Sequence, residues 1–158
     1  MSKVLVTYFS AGGTTAKVGI KLAKAIEADV YQILPKVPYR AGDLNWMNKK
    51  SRSSVEMSDR NCRPEMANKL SNMEDYDVIF FGFPIWWYRE PSIIDTFMEA
   101  YDFKGKTVVV FCTSGGSELG EAPKNIQNLA PKAKVVEGER FKRGIKEAAL
   151  KEWASKWI

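Results

Sequence analysis

The chain has no histidine and only two cysteines, Cys62 and Cys112, which are far apart and outside any C-x-x-C pair. Without imidazole, no Ser–His or Cys–His catalytic pair can be assembled. Without a Cys/His cluster, the usual zinc-ligand spacings are missing. Free thiols fit a reducing compartment, so the cytoplasm is the expected location. No apolar run approaches the ~20 residues of a membrane span, and Val4 to Phe9 is too short for the core of a secretory signal. Repeats, low-complexity tracts and interdomain linkers are also missing, so residues 1–158 read as one domain.

Charge of both signs is present, with a formal net of +5, but the excess is uneven. Lys36, Arg40, Lys49, Lys50, Arg52, Arg60 and Arg63 fall in one stretch, opposed only by Asp43, Glu56 and Asp59. No nucleic-acid reader motif accompanies them, so no nucleic-acid partner is expected.

The apolar runs alternate with helical periods. "KVLVTYF" (Lys3 to Phe9), "DVYQIL" (Asp29 to Leu34), "YDVIFFGFP" (Tyr76 to Pro84), "KTVVVFCTS" (Lys106 to Ser114) and "AKVVEGERF" (Ala133 to Phe141) read as strands, the last as one strand or a pair. Thr14 to Ile26, Pro91 to about Ala100, a segment after Gly120, and Ile145 to Trp157 read as helices. A further helix is predicted from near Pro64 to Met73. Lys36 to about Arg60 has no clean period and reads as a long functional excursion. Strands alternating with helices imply an α/β fold, a parallel sheet covered on both faces and joined by right-handed crossovers. Ligands in such sheets bind beyond the carboxyl ends of the strands. The loops after the first, third and fourth strands therefore share one rim.

The first of these loops lies in "TYFSAGGTTAK" (Thr7 to Lys17). Ser10 to Thr15 offers backbone N–H groups at a helix N-terminus, two glycines and three hydroxyls, which together suit an anion. Thr14 stands where a nucleotide-phosphate loop needs Lys. The adjacent Gly12 and Gly13 do not give the G-x-G-x-x-G dinucleotide spacing. What remains is either a phosphate loop without a cation of its own or a tight turn with a threonine cap and no ligand. The second loop, "FPIWWYREP", carries three successive aromatics that cannot all point inward, so at least one should be exposed and able to stack on a planar ring. The third, "CTSGGSELG", lets backbone approach a flat ligand, or is simply a Gly-rich turn. Together the three suggest a ligand with a phosphate at one end and a flat polar ring at the other.

At this point the chain resembles the flavodoxin superfamily in its short-chain form. "YFSAGGTT" resembles that family's phosphate loop, often written S-x-T-G-x-T. "PIWWYREPS" and "TSGGS" resemble its two flavin-ring loops. The resemblance implies a three-layer sandwich with a five-stranded parallel sheet in the order 2-1-3-4-5 and FMN as cofactor. Ser10, Ala11, Gly12, Gly13, Thr14 and Thr15 would hold the phosphate. Pro84, Ile85, Trp86, Trp87 and Tyr88 would flank the isoalloxazine, with Thr113, Ser114, Gly115, Gly116 and Ser117 at its pyrimidine edge and other side. The sequence departs at Gly12, where the family often has Thr, and at Thr14, where Asn is common. A backbone N–H or carbonyl near Tyr88 or Arg89 would serve the flavin N5. Arg89 and Glu90 would otherwise pair with each other at the surface.

The resemblance implies no catalytic side chain, because a flavin carries the chemistry. Three functions stay open: an electron carrier that docks to redox partner proteins, an NAD(P)H-dependent FMN oxidoreductase acting on quinones or other small acceptors, and a non-redox binder of a phosphorylated ligand. The basic stretch favours an acidic partner or a phosphate-rich nucleotide and disfavours a very low flavin potential. The excursion after the second strand is either a cover over the flavin, with Tyr39 or Trp46 near the ring, or a solvated loop anchored by one Trp.

Overall fold

The computed structural model describes residues 3–114 and 116–158. Within them, five strands form one parallel sheet: β1 (Val4–Tyr8), β2 (Asp29–Gln32), β3 (Val78–Pro84), β4 (Thr107–Thr113) and β5 (Lys134–Phe141), in the order β2-β1-β3-β4-β5. Every pairing is parallel, with Val4 opposite Val78 and Val78 opposite Thr107. The helices are α1 (Thr14–Ile26), α2 (Arg52–Ser58), α3 (Ser92–Ala100), α4 (Ala122–Leu129) and α5 (Glu147–Ala154).

The strict alternation of a strand divides the core in two. Leu5, Ile79, Phe81, Val108 and Val110 face the α3–α4 layer and meet Ile93, Ile94, Phe97 and Ile126. Val6, Phe80, Val109 and Phe111 face the α1–α5 layer and meet Val18, Leu22, Leu150 and Trp153. The central strands are apolar on both faces because both faces are covered. β2, at the edge, is mostly exposed. β5 is a single strand with a register irregularity between Val110 and Cys112, not a pair.

The sequence places α1 correctly from end to end, and α3 starts at Ser92, one residue later than expected, with Pro91 as its N-cap. The segment from Pro64 to Met73 differs from expectation. It contains no helix up to a short 3-10 turn at Met73–Asp75. Met66, Leu70 and Met73 have helical spacing, but the backbone there pairs with the end of the second strand's extension. The Lys36 amide donates to Glu65 O at 2.8 Å, and the Ala67 amide to Leu34 O at 2.7 Å. Asn68 completes the pairing by accepting from the Leu34 amide at 3.2 Å and donating to Gln32 O at 2.8 Å. Strand-like pairing to an exposed edge outweighs helix propensity here. The helical turns lie earlier, at Ala41–Leu44 and in α2, inside the stretch that shows no clean period. The closing helix is also shorter than expected, ending in a 3-10 turn at Ser155–Trp157.

Candidate functional site

The carboxyl ends of β1, β3, β4 and β5 open on a cavity of about 470 Å³. Ser10, Ala11, Gly12, Thr14 and Thr15 line it from the first loop, Pro84 and Trp86 from the third strand, and Thr113 and Ser114 from the fourth. Leu44 reaches it from the excursion, and Phe141, Lys142 and Arg143 from the end of β5. Three of the loops singled out in the sequence thus meet in one space. No Asp or Glu is among the described residues that line it.

The first loop is shaped by a left-handed glycine. Gly13 sits at φ 95° just before α1, a conformation side chains oppose, and its amide donates to Ser10 Oγ at 3.1 Å. No side chain caps α1, so its first amides keep their hydrogen-bonding capacity for a ligand. A Cβ at Gly12 would meet nothing within 4 Å. Thr15 is buried and its hydroxyl lies 2.6 Å from that of Thr113, tying the start of α1 to the end of β4. In such a pair one hydroxyl donates to the other, and the accepting one keeps its proton for a further partner.

The second loop is a tight hairpin turn. Trp86 and Arg89 exchange backbone bonds, Trp86 N to Arg89 O at 3.0 Å and Arg89 N to Trp86 O at 3.2 Å. Between them Trp87 and Tyr88 both have positive φ, 50° and 63°, a pattern usually filled by Gly or Asn. Bulky side chains there cost of order 1–3 kcal/mol each, which the surroundings must offset. Two supports do so. The Glu121 amide donates to Tyr88 O at 3.0 Å, and Gly120 passes so close that a Cβ would lie 2.1 Å from that carbonyl. The Arg89 amide and the Tyr88 carbonyl are therefore occupied within the protein. Of the four amides of this turn, those of Trp87 and Tyr88 donate to no backbone carbonyl among the described residues.

The three aromatics separate. Trp86 lines the cavity and packs edge-on against Phe9 and Tyr39, with centroids 5.8 and 5.5 Å away. Trp87 and Tyr88 are exposed, and Trp87 lines a second groove. Ile85 packs against the core. In the third loop, Ser114 Oγ donates to Ser117 O, closing a turn, while Gly116 is exposed. Gly115 lies outside the described residues.

Arg89 and Glu90 are not a surface pair. Both are buried, Arg89 at 4% exposure and Glu90 at 1%. Arg89 donates to Met57 O at 3.2 Å, and Ser92 Oγ to Glu56 O at 3.3 Å, so the last carbonyls of α2 are capped from this loop. The guanidinium lies 3.9 Å from Glu90 and 3.8 Å from Asp95. Burial, a hydrogen bond with Asp95 and that residue's charge hold the Glu90 carboxyl well above the usual carboxylate range. Asn125 donates to it at 3.0 Å.

Residues 45–50 of the excursion are exposed, but α2 packs through Ser53 and Met57 and the start of the excursion is anchored by Tyr39 rather than by a Trp. The Arg52 guanidinium lies 3.8 Å from the Tyr39 ring centroid, donates to Val37 O at 2.6 Å and pairs with Glu56 at 3.0 Å. The Tyr39 hydroxyl donates to Glu56, and burial and that carboxylate push its pKa up. Trp46, by contrast, is 71% exposed. Of the seven basic residues, Lys36, Arg52, Arg60 and Arg63 are in ion pairs. Arg40, Lys49 and Lys50 have no ion-pair partner among the described residues.

Leu44, Phe141, Lys142 and Arg143 line the cavity without having been candidates in the sequence, and the two cations matter most for its charge. The loop they start is fixed to α1 by Lys21, whose Nζ donates to Arg143 O at 3.3 Å and Ile145 O at 2.6 Å. A basic pair directly after the last strand was the available signal, since the carboxyl end of β5 belongs to the same rim. Cys112 is buried, with its thiol pushed up to about 12, and is chemically quiet.

A model of the flavodoxin family matches residues 3–157. The chain belongs to the flavodoxin family. Among solved structures similar to it is a protein of Bacteroides eggerthii DSM 20697, named provisionally as a flavoprotein. It is 46% identical, with 99% of this chain and 98% of that one covered and a TM-score of 0.92. A provisionally named flavoprotein of Bacteroides uniformis ATCC 8492 is 45% identical, with 98% of each chain covered and a TM-score of 0.91. A flavoprotein of Lactobacillus acidophilus NCFM, solved in complex with FMN, shares the fold at 19% identity, with 98% of this chain and 99% of that one covered and a TM-score of 0.71. No curated protein matches the chain. No helix among the described residues is long and apolar enough to cross a membrane.

Proposed function

We propose that this member of the flavodoxin family binds FMN in the rim cavity and transfers electrons through it. The observation that carries the reading is one acid-free cavity combining the open N-terminus of α1, the Trp86 wall and the Thr113–Ser114 strand end. The residues fit the group. Uncapped helix amides and hydroxyls suit a phosphate, the volume lies in the range of small-molecule sites, and two cations, Lys142 and Arg143, line the same cavity.

In this reading Ser10 to Thr15 hold the phosphate, with Lys142 and Arg143 lowering the cost of its charge. Pro84 and Trp86 position the ring, Thr113 and Ser114 meet its polar edge, and the Trp87 and Tyr88 amides are the free donors of the neighbouring turn. Bound FMN would supply reversible electron uptake, and the protein would supply orientation, exclusion of water and electrostatics. No side chain is assigned a proton-transfer role.

A second reading, an NAD(P)H-dependent oxidoreductase acting on small acceptors, is favoured by Arg40, Lys49 and Lys50, which have no ion-pair partner among the described residues and would attract a phosphate-rich nucleotide. Anaerobic mixing of FMN-loaded protein with NADPH and with NADH separates the two. Rapid bleaching of the flavin supports the enzyme, and unchanged absorbance supports the carrier. For the ring wall, Trp86→Ala should weaken FMN binding while Trp46→Ala leaves it unchanged. Equal affinities for both variants would refute the wall.

A further inference from the structure

A second groove, of about 860 Å³, lies across the Trp86–Arg89 turn from the first cavity. The two share walls along two separate segments. Trp86 lines the first and Trp87 the second, and Leu44 lines the first while Trp46 and Met47 line the second. The apolar side of the groove is unusual for a surface. Trp46, Met47, Val55 and Trp87 are 71%, 75%, 55% and 43% exposed, yet all face one space. Exposed large apolar side chains gathered in this way mark a binding surface.

The charge lining the groove is positive in sum, with Lys49, Arg60 and Arg89 against one acid among the described residues. Its acid, Glu121, is neutralised by Arg60 at 3.0 Å. Lys49 has no ion-pair partner among the described residues, and the buried Arg89 also reaches the groove. Two indoles with an unpaired ammonium select a flat ring that carries an anionic group. The volume is that of a small-molecule site.

We propose that this groove binds a planar aromatic quinone with an anionic substituent, which would take two electrons and two protons from reduced flavin in the neighbouring cavity and leave as the hydroquinone. The exchange role rests on the flavin reading, whereas the binding does not. Anthraquinone-2-sulfonate serves as the probe and 2-(hydroxymethyl)anthraquinone as its neutral counterpart, titrated into the FMN-incubated protein by quenching of tryptophan fluorescence. Saturable binding of the sulfonate is expected. Lys49→Glu should weaken the sulfonate about fivefold and leave the neutral compound within about twofold. Trp46→Ala should weaken both about tenfold. FMN absorbance, read in the same samples, should be unchanged by either substitution. Lack of saturable quenching, or affinities untouched by both substitutions, would overturn the proposal. Saturable binding to a chain that takes up no FMN would support the groove and overturn the flavin reading alone.

Discussion

Gly120 controls the aromatic turn without touching the cavity. Its φ is +56°, and a Cβ would lie 2.1 Å from Tyr88 O. Gly120→Ala must therefore displace the support that keeps Trp87 and Tyr88 left-handed. We expect a loss of about 1–3 kcal/mol in denaturant unfolding, accompanied by weaker FMN binding. Unchanged stability would show that the turn holds its shape unaided. Glu90 makes a second residue-scale prediction. Its pKa is raised on folding, so above the ordinary glutamate range the folded chain binds more protons than the unfolded one. Its contribution to stability is complete at low pH and falls as pH rises from that range towards the folded pKa. Glu90→Gln, which stays neutral and can still meet Asn125, should flatten that fall in melts recorded from pH 5 to 8.5. A variant with the parent's slope would mean that another group titrates.

At the scale of elements, the excursion shows best what the sequence could convey. Its placement at the rim followed from β2 being a strand in a parallel sheet, and its basic character was plain. Its anchoring was not, because Tyr39, Arg52 and Glu56 are separated in sequence and become a unit only when α2 turns Arg52 and Glu56 to one face, four residues apart. Trp46 was the more conspicuous residue and turned out exposed. The misread helix after Pro64 has a similar cause: local spacing carries no record of the exposed edge that Glu65 and Ala67 pair with. By contrast β3 and β4 were legible because burial on both faces leaves an unbroken apolar run. Arg52→Ala removes the ring contact, the ion pair and the bonds to Val37 and Pro38 together. It should release residues 36–64 to protease and to amide exchange while the exchange of β3 and β4 stays slow. Uniform acceleration across the sheet would contradict a locally anchored element.

For the whole molecule, the arrangement of charge matters more than its sum. The cavity at the rim contains no carboxylate among its described lining, and Lys142 and Arg143 line it together with the first residues of α1. Of the cavity's lining, the Ser10–Thr15 loop and Trp86 could be read from the sequence as sharing one rim. The two cations could not be placed until the fold brought the loop after β5 against α1, where Lys21 holds it through Arg143 O and Ile145 O. Neutralising both, Lys142→Ala with Arg143→Ala, should weaken FMN binding several-fold and reduce its salt dependence, because two exposed charges are lost. Riboflavin binding, which involves no phosphate, should stay the same. Equal loss for both ligands would move the cations away from the phosphate.

The central claim is that the cavity recognises a phosphate at one end and a flavin ring at the other. Parallel titration of the protein with FMN and with riboflavin, followed by flavin fluorescence, tests it most directly. Saturable FMN binding is expected, with riboflavin bound more weakly by at least about tenfold, the share of charge-assisted bonds to the phosphate. A protein that binds neither flavin, or both with equal affinity, would contradict it.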